Sequence, residues 1–410
     1  MKQVYKNIKS LMGVYDAPVE RLKGLEMATV PSIDNAFLVV EDGKIADFGE
    51  MARFDAAGYG DATVTDLSGQ YVFPAFADSH THIVYAGSRE LEYEDKIRGL
   101  SYTEIAKRGG GILNSADLLR RTSEDDLYEM AMQRLMQCVE GGTAAMEVKS
   151  GYGLSTAYEL KMLRVIRRMK ENAPIVVKSN FLAAHAFPRE YLTNHDGYVD
   201  LIVNEMIPQV AAEELADFVD VFCDEGFFTV PQTERILRAG VEHGMRPKIH
   251  ANELALSGGV QIGVKYGALS VDHLEHVGID ERNALRDSKT MATVLPGAAF
   301  FLGMNYAPAR EMINDGLAVA VASDYNPGSS PSASMKFILS LASIKMRLLP
   351  DEALNAATVN GACAMGLAGQ YGQIVKGLKA NFVITKPMPS YAYFPYAYTE
   401  NLIDKVVVNK

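Results

Sequence analysis

The feature that most limits the fold of this chain is a repeated alternation of apolar, strand-like runs with helical patterns between residues 71 and 365. Such an alternation is typical of parallel strands joined by helices, and it predicts an α/β fold, a (β/α)8 TIM-type barrel. The strand-like runs are 71–76, 144–149, 176–182, 219–223, 247–250, 269–273 and 318–324, and the helical stretches are 124–140, 156–172 and 350–367.

Short alternating segments lie on both sides of this region. Residues 35–40 and 44–48 are separated by Glu41-Asp42-Gly43, a sequence that indicates a β-hairpin. Strand-like runs return after Leu367, at 382–385 and 405–408. We therefore expect the two ends of the chain, residues 1–70 and 367–410, to form one small β-rich domain beside a barrel of residues 71–366.

Composition limits the class of protein. The 410 residues are 48% hydrophobic and 22% charged, so the chain can bury a large core. The formal net charge of -11 disfavours nucleic acids and anionic membranes as main partners, because both would repel it. Cys138, Cys223 and Cys363 are scattered, as is typical of reduced thiols. We see no apolar segment typical of a signal peptide or a membrane span, and we expect a cytoplasmic protein.

Histidines follow several of the predicted strands, at the end where barrel enzymes place their active sites. His80 and His82 are one residue apart, so on an extended strand their rings point to the same side and suit one metal cation. Solvated loop histidines are the alternative, but five of the eight histidines follow strand-like runs. These five are His80, His82, His185, His250 and His273.

Two carboxylates extend this set. Glu253 lies three residues after His250, so that a short turn can return its side chain, and Asp324 ends the strongest apolar run. A strand-terminal Asp can instead cap a helix. With His80, His82 and His250, Asp324 predicts an open catalytic metal site that keeps a position for water. The ligand types suit zinc and iron equally.

These residues lie in motifs that resemble the amidohydrolase superfamily over essentially the whole chain. The 149–153 and 326–329 stretches are similar to one branch, in which enzymes with a single metal open a cyclic amide. Ser323 stands where that branch usually has threonine, and Asn252 where aspartate is common. The motifs are 78–82, 86–89, 109–112, 147–154, 184–186, 220–223, 248–253, 272–274 and 323–329.

The resemblance implies a role for each residue. One divalent or trivalent metal ion, zinc or iron, would bind His80, His82, His250 and Asp324. Glu253 and His273, with Asp324, would move protons, in an order that stays open, and the metal or His185 would polarise the carbonyl group. The implied reaction is hydrolysis of 4-imidazolone-5-propanoate to N-formimidoyl-L-glutamate in histidine degradation, by a homodimer. The implied substrate contacts are Arg89, Tyr102, Tyr152, His185, Asn326, Gly328 and Ser329.

Three alternatives stay open at this point. A nucleobase deaminase of the same superfamily shares the histidine and carboxylate pattern, but Arg89 and Tyr152 favour a substrate with a carboxylate tail. A barrel that only binds its ligand would tolerate loss of a metal ligand, yet all four positions are filled. Lys149 resembles a position that is carboxylated in two-metal relatives. We expect it to be unmodified here, with a structural or pocket-lining role.

Overall fold

In the computed structural model, which describes residues 2–100, 104 and 111–410, eight parallel strands form a barrel in chain order. The barrel closes where the backbone N–H of His82 donates to the carbonyl of Tyr325, at 2.9 Å. This confirms the predicted barrel, although the sequence did not reveal β12. The strands are β6 (Phe76–Asp78), β7 (Thr143–Lys149), β8 (Val176–Ala184), β9 (Phe218–Cys223), β10 (Arg246–Ala251), β11 (Ser270–His273), β12 (Met291–Val294) and β13 (Val319–Val321).

A second, mixed sheet joins the two ends of the chain, as the sequence predicted. Its order is β15-β14-β5-β1-β2-β3, with β4 beside β1. The predicted hairpin joins β2 to β3, and Asp42 and Gly43 adopt φ of +50° and +75° in its turn. The strands are β1 (Lys2–Met12), β2 (Ser32–Glu41), β3 (Lys44–Glu50), β4 (Thr63–Asp66), β5 (Tyr71–Pro74), β14 (Phe382–Thr385) and β15 (Ile403–Val407).

The apolar run 71–76 serves both sheets, which differs from the prediction. β5 pairs with β14 in the mixed sheet, and only β6, after Ala75, belongs to the barrel. The chain therefore passes between the sheets within this run, because β5 finds its hydrogen-bond partners in β1 and β14. The division into domains at residues 70 and 367 stays a prediction.

Helices cover the outside of the barrel. Those predicted at 124–140 and 156–172 are present, whereas the stretch 350–367 contains two helices, because Thr358 leaves helical geometry with φ of -120° and ψ of -89°. None of the described helices combines the length and the apolarity that crossing a bilayer requires. The α-helices are Glu90–Ile97, Ile112–Arg121, Glu124–Glu140, Thr156–Asn172, His195–Leu201, Ile207–Ala212, Val230–Glu242, Gly259–Lys265, Ile279–Arg286, Pro296–Leu302, Ala309–Asn314, Met335–Met346, Pro350–Ala357, Val359–Ala364 and Tyr393–Tyr396. Shorter 3-10 turns are Gly24–Ala28, Met51–Arg53, Ala56–Tyr59 and Arg189–Tyr191, and Ile202–Met206 is a π-helical turn.

Candidate active site and metal centre

Three imidazole rings converge at the carboxyl end of the barrel. The Nε2 atom of His82 lies 3.2 Å from that of His80 and 3.5 Å from that of His250. All three side chains are buried, and one ring nitrogen of each lies within 4.8 Å of the others. Neutral imidazole nitrogens that face one another in this way direct their lone pairs to a common point, which is the arrangement that a cation requires.

A buried carboxylate holds the opposite nitrogen of two of these rings. Nδ1 of His80 lies 2.7 Å from Oδ2 of Asp272, and Nδ1 of His250 lies 3.1 Å from Oδ1 of Asp220. Because a carboxylate only accepts, each pair places the proton on Nδ1 and leaves the Nε2 lone pair for a metal. Burial lowers the pKa of both imidazoles, so they stay neutral. The donor set therefore fits a metal ion.

Two buried lysines balance these carboxylates inside the barrel. Nζ of Lys149 lies 2.5 Å from Oε1 of Glu147 and 2.7 Å from Oδ2 of Asp220. Lys248 donates to Glu147 and, at 2.8 Å, to the carbonyl oxygen of Ser79. Burial opposes the charge of Lys149, but Asp220 and Glu147 outweigh it and raise the pKa of its amine. Lys149 is thus placed as a charged counter-ion, and it is not among the residues that line the cavity.

Asp324 lies beside two of the three histidines. Its Oδ1 is 3.6 Å from Nε2 of His80 and 3.5 Å from Nε2 of His82. The residue follows β13 with φ of +51°, a left-handed conformation that is uncommon outside glycine and often marks functional turns. Burial raises the pKa of its carboxyl group to about 6. An oxygen ligand is therefore available next to two of the imidazole nitrogens.

Asn326 organises the loop that follows. Its Nδ2 donates to the carbonyl oxygen of Asp324 at 2.6 Å and to Oγ of Ser329 at 2.7 Å. Its Oδ1 accepts the backbone N–H groups of Gly328 and Ser329, each at 2.8 Å. All these hydrogen bonds of the Asn326 side chain lie within the loop. Asn326 therefore shapes this side of the cavity and supports Asp324.

Glu253 and His273 form a buried acid–base pair. Nδ1 of His273 lies 3.6 Å from Oε2 of Glu253 and 3.7 Å from Oε2 of Glu275. Burial raises the pKa of Glu253 to about 7, against the opposing charge of His273. Burial also opposes protonation of His273, but Glu253 and Glu275 outweigh it and raise the pKa of this imidazole to about 10. A carboxyl group that ionises near neutral pH suits proton transfer.

Asp224 fixes the turn that carries Glu253. Its carboxylate accepts the backbone N–H groups of Glu253 at 2.7 Å, of Leu254 at 2.9 Å and of Ala255 at 3.2 Å. Asn252, just before, has φ of +58°. This turn places the Glu253 side chain in the cavity wall.

His185 packs on the metal-site histidines as a neutral ring. It stacks on His82 with 5.1 Å between ring centroids, and burial lowers its pKa to about 3. Its Nδ1 lies 3.2 Å from the carbonyl oxygen of Gly151, so the single proton of the neutral ring lies on Nδ1. Nε2 is then an acceptor. This differs from the expectation that His185 polarises a carbonyl group, which needs a donor.

Glu159 positions Tyr152 by binding the loop around it. The buried carboxylate of Glu159 accepts the backbone N–H groups of Gly151 at 3.0 Å, Gly153 at 2.7 Å and Leu154 at 2.9 Å. The Tyr152 ring lies 6.1 Å from that of His82, and burial raises the pKa of its phenol. Tyr152 therefore faces the cavity as a neutral hydroxyl donor.

One cavity of about 890 Å³ opens above the histidines. Aromatic and apolar side chains line it together with the titratable groups of its floor, and Arg89 lies at its mouth. Such a mixture suits a small ligand with a flat ring and a charged end. The aromatic and apolar lining residues include Tyr93, Ile97, Phe222, Phe227, Phe300 and Phe301.

Arg89 joins the helix Glu90–Ile97 to the Asn326 loop. Its Nε donates to Oε2 of Glu92 at 2.9 Å, and Nη2 donates to the same oxygen. A Cβ atom added at Gly328 would lie 2.2 Å from Nη1 of Arg89. The guanidinium group therefore occupies the space that a side chain at residue 328 would fill, and it faces the cavity mouth.

Comparisons with known proteins agree with this geometry. Residues 71–409 match the Amidohydrolase family. An imidazolonepropionase of Flavobacterium johnsoniae is 51% identical over 100% of this chain and 99% of its own length. One of Thermoanaerobacter pseudethanolicus is 40% identical over 94% of this chain and 92% of its own. This chain belongs to the imidazolonepropionase family of amidohydrolases.

Solved structures at low identity share the fold of this imidazolonepropionase family member. A triazine hydrolase variant superposes with a TM-score of 0.74 at 14% identity, covering 100% of this chain and 93% of the other. Guanine deaminase from C. acetobutylicum gives a TM-score of 0.71 at 15% identity, with coverage of 100% and 99%. At these identities the likeness extends to the fold alone.

The structure brings together nearly all the site residues that the sequence predicted for this imidazolonepropionase family member. His80 lies below the cavity surface, and Tyr102 falls outside the described residues. The roles of the others stay predictions. The predicted residues that line the cavity are His82, Arg89, Tyr152, His185, His250, Glu253, His273, Asp324, Asn326, Gly328 and Ser329.

Sequence reasoning gave no role to the groups that hold the histidines in this family member. Asp220, Asp272 and Lys248 are charged residues that lie fully buried inside barrel strands. Lys248 lies two residues before His250, so that both side chains point to the same side of β10, into the barrel. A charged residue two positions from a predicted ligand on the same strand could therefore have indicated one of these supports.

Proposed function

We propose that this chain hydrolyses the cyclic amide bond of 4-imidazolone-5-propanoate to N-formimidoyl-L-glutamate, a step of histidine degradation. The observation that carries the proposal is one cavity that combines converging imidazoles, the Glu253–His273 pair and an arginine at its mouth. The full-length similarity to curated imidazolonepropionases supports it.

We propose that His80, His82, His250 and Asp324 hold one zinc or iron ion. The support is the convergence of the three Nε2 atoms, the carboxylates on Nδ1 and the nearby Asp324 oxygen. When bound, such an ion acts as a Lewis acid that lowers the pKa of water to about 7.

Glu253 is proposed as the proton carrier. Its carboxylate accepts a proton from the attacking water as the new C–O bond forms at the ring carbonyl carbon. It then returns that proton to the ring nitrogen as the C–N bond breaks, so that protons balance over the cycle. His273 lies beside Glu253 with a raised pKa, and its positive charge holds the carboxylate in place before the first transfer and after the second.

The cavity walls are proposed to orient the substrate. Nε2 of His185 accepts a hydrogen bond from a ring N–H of the imidazolone, and the Tyr152 hydroxyl donates to the substrate. Arg89 pairs with the propionate tail, because a guanidinium group offers a carboxylate two parallel donors. Gly328 and Ser329 contact the far side of the substrate or the product.

The test is to add freshly generated 4-imidazolone-5-propanoate to purified protein and to follow the loss of its ultraviolet absorbance, with metal content measured on the same sample. Glu253→Gln is the matched control, because it keeps the shape and should keep the metal. We expect turnover by the native chain and no ammonia release from guanine. Guanine deamination without loss of the imidazolone would instead support the deaminase alternative.

We also propose that the protein acts in the cytoplasm as a homodimer. The cytoplasmic proposal is supported by three free cysteines, of which Cys138 and Cys223 are buried. The proposal of a dimer rests on the family resemblance, and light scattering in solution tests it.

A further inference from the structure

Lys96 brings a second cation to the mouth of the cavity. It lies on the helix Glu90–Ile97, seven residues after Arg89, which is the N-cap residue of the same helix. Both residues line the cavity and both meet Gly328. Nζ of Lys96 donates to the carbonyl oxygen of Gly328 at 3.2 Å, and Nη1 of Arg89 lies 2.2 Å from where a Cβ atom of residue 328 would be.

Lys96 has no ion-pair partner of its own within the described part of the chain. Oε2 of Glu92 accepts from both Nε and Nη2 of Arg89. Lys96 forms no ion pair within 4.0 Å with any carboxylate of the described residues, although its only described hydrogen bond uses one of its three N–H donors. Glu92 is therefore bonded to Arg89 and not to Lys96, and the Lys96 ammonium group keeps two further donors beside the cavity.

The surroundings favour an anion at this point. Lys96 is partly buried, and its Nζ lies 5.6 Å from the centre of the Phe301 ring, which limits its access to water. Burial and the neighbouring Arg89 lower the pKa of its amine, against the charge of Glu92. A bound anion would offset both effects, since it returns a favourable charge to a group that has lost solvent.

We infer that Lys96, together with Arg89, binds the carboxylate of the substrate's tail and so determines specificity for imidazolones that carry an anionic side chain. This inference rests on the proposed function. In the substrate of that reaction the propionate is the one full negative charge. Because Glu92 already compensates part of the Arg89 charge, Lys96 supplies the net positive charge that discriminates a carboxylate from a neutral tail.

The experiment uses two stable ligands on the metal-loaded enzyme, imidazole-4-propanoate and its primary amide. Calorimetry gives their dissociation constants for the native chain, Lys96→Gln, Lys96→Arg and the control Lys289→Gln, an exposed lysine after the helix Ile279–Arg286. We expect Lys96→Gln to weaken the carboxylate ligand by about 10- to 100-fold, the worth of a hydrogen bond to a charged group. Binding of the amide should change by less than about twofold, and Lys96→Arg should restore most of the loss.

Kinetics provide the second measurement. KM for 4-imidazolone-5-propanoate should rise in Lys96→Gln by a factor similar to the binding loss. The fall in kcat should be smaller than in Arg89→Met, because Arg89 still holds the tail, and metal content should not change. Equal weakening of both ligands would assign Lys96 a structural role, and unchanged binding with unchanged KM would overturn the inference.

The two proposals fail in different ways. If the native chain hydrolyses the imidazolone but Lys96→Gln keeps its preference for the carboxylate ligand, only the inference is overturned. If the native chain prefers the carboxylate ligand through Lys96 but shows no hydrolysis, the proposed function is overturned and the anion site stands. If it neither hydrolyses nor binds, both are overturned.

Discussion

Asp272 lies directly before His273 on β11, and its Oδ2 is 2.7 Å from Nδ1 of His80. One barrel strand thus holds a proposed metal ligand from behind and presents the proposed proton-transfer histidine in front. Lys248, 3.5 Å from the same carboxylate oxygen, compensates its charge. The metal site and the acid–base pair are therefore built on shared supports, so that a change in one support has consequences that can be separated by measurement.

The first prediction concerns this support. Asp272→Asn should weaken metal binding by about 10- to 100-fold, because the amide no longer fixes the imidazole tautomer as a carboxylate does. Metal content after dialysis against a competing chelator measures this weakening.

His80→Ala, which removes the ligand itself, should lose the metal and all turnover, while the exposed Asp287→Asn serves as the control. A full metal equivalent with normal activity in His80→Ala would contradict the site.

The sequence identified the proposed ligands more completely than their supports. His80, His82 and His250 follow from one rule, that barrel chemistry lies at the carboxyl ends of strands. The contact of His80 with Asp272 spans 192 positions in the chain and depends on how the strands are aligned around the barrel. Local spacing carries no information about such a contact, so it becomes visible only in three dimensions.

Short elements were the other difficulty. β12 contains four residues, Met291–Val294, and a run of that length does not stand out from the apolar helical segment that follows it. The run 71–76 appeared as one strand because both of its halves are apolar, yet Ala75 separates β5 from β6. Apolar content predicts that a strand is buried, but it does not say in which sheet.

The second prediction concerns Glu253. Glu253→Gln should keep the metal and lower kcat by about 10²- to 10⁴-fold, the usual contribution of a positioned acid–base group. Because the base must be ionised and burial raises its pKa to about 7, native kcat should fall as the pH drops below that value. A bound cation moves this acidic limb to lower pH, since it stabilises the carboxylate. A pH–rate profile of the native protein, with metal content measured at each pH, checks the acidic limb. If kcat of Glu253→Gln stayed within a few-fold of native, Glu253 would not be the proton carrier.

The third prediction concerns Lys149 as a buried counter-ion. Lys149→Met should destabilise the fold by about 3 to 5 kcal/mol, because Glu147 and Asp220 lose their bonded cation in an environment without water. Chemical denaturation of the metal-free protein measures this loss without interference from metal binding. Lys345→Met, at an exposed position, is the control. Unchanged stability would mean that Lys149 does not compensate these carboxylates.

The fourth prediction concerns the substrate tail. Arg89→Met should raise KM for 4-imidazolone-5-propanoate strongly and also lower kcat, because a tail contact positions the reacting carbonyl group. Metal content should not change, since the described side-chain hydrogen bonds of Arg89 go to Glu92 and not to the histidines. Steady-state kinetics with metal analysis on the same preparation decide this. A native KM would show that the carboxylate binds elsewhere, and Tyr152 and His185 would then be the residues to test.

The fifth prediction uses Gly328 to move Arg89 without changing its charge. Gly328→Ala introduces a Cβ atom 2.2 Å from the present position of Nη1, so the guanidinium group must shift away from the loop. KM should rise, but by less than in Arg89→Met, because the displaced cation still lies near the mouth. Gly58→Ala is the control, since no heavy atom lies within 4 Å of a Cβ atom at that position.

A double-mutant cycle makes the test of Gly328 specific. If the added methyl group acts only through Arg89, Gly328→Ala should have little further effect on KM once Arg89 is methionine, so the two changes should not add. Additive effects would mean that the methyl group also disturbs the substrate contact proposed for Gly328, or that it changes the path of the Asn326 loop. Metal content distinguishes these two outcomes, because a distorted loop also displaces Asp324, to which Asn326 is bonded, whereas a lost substrate contact leaves the metal in place.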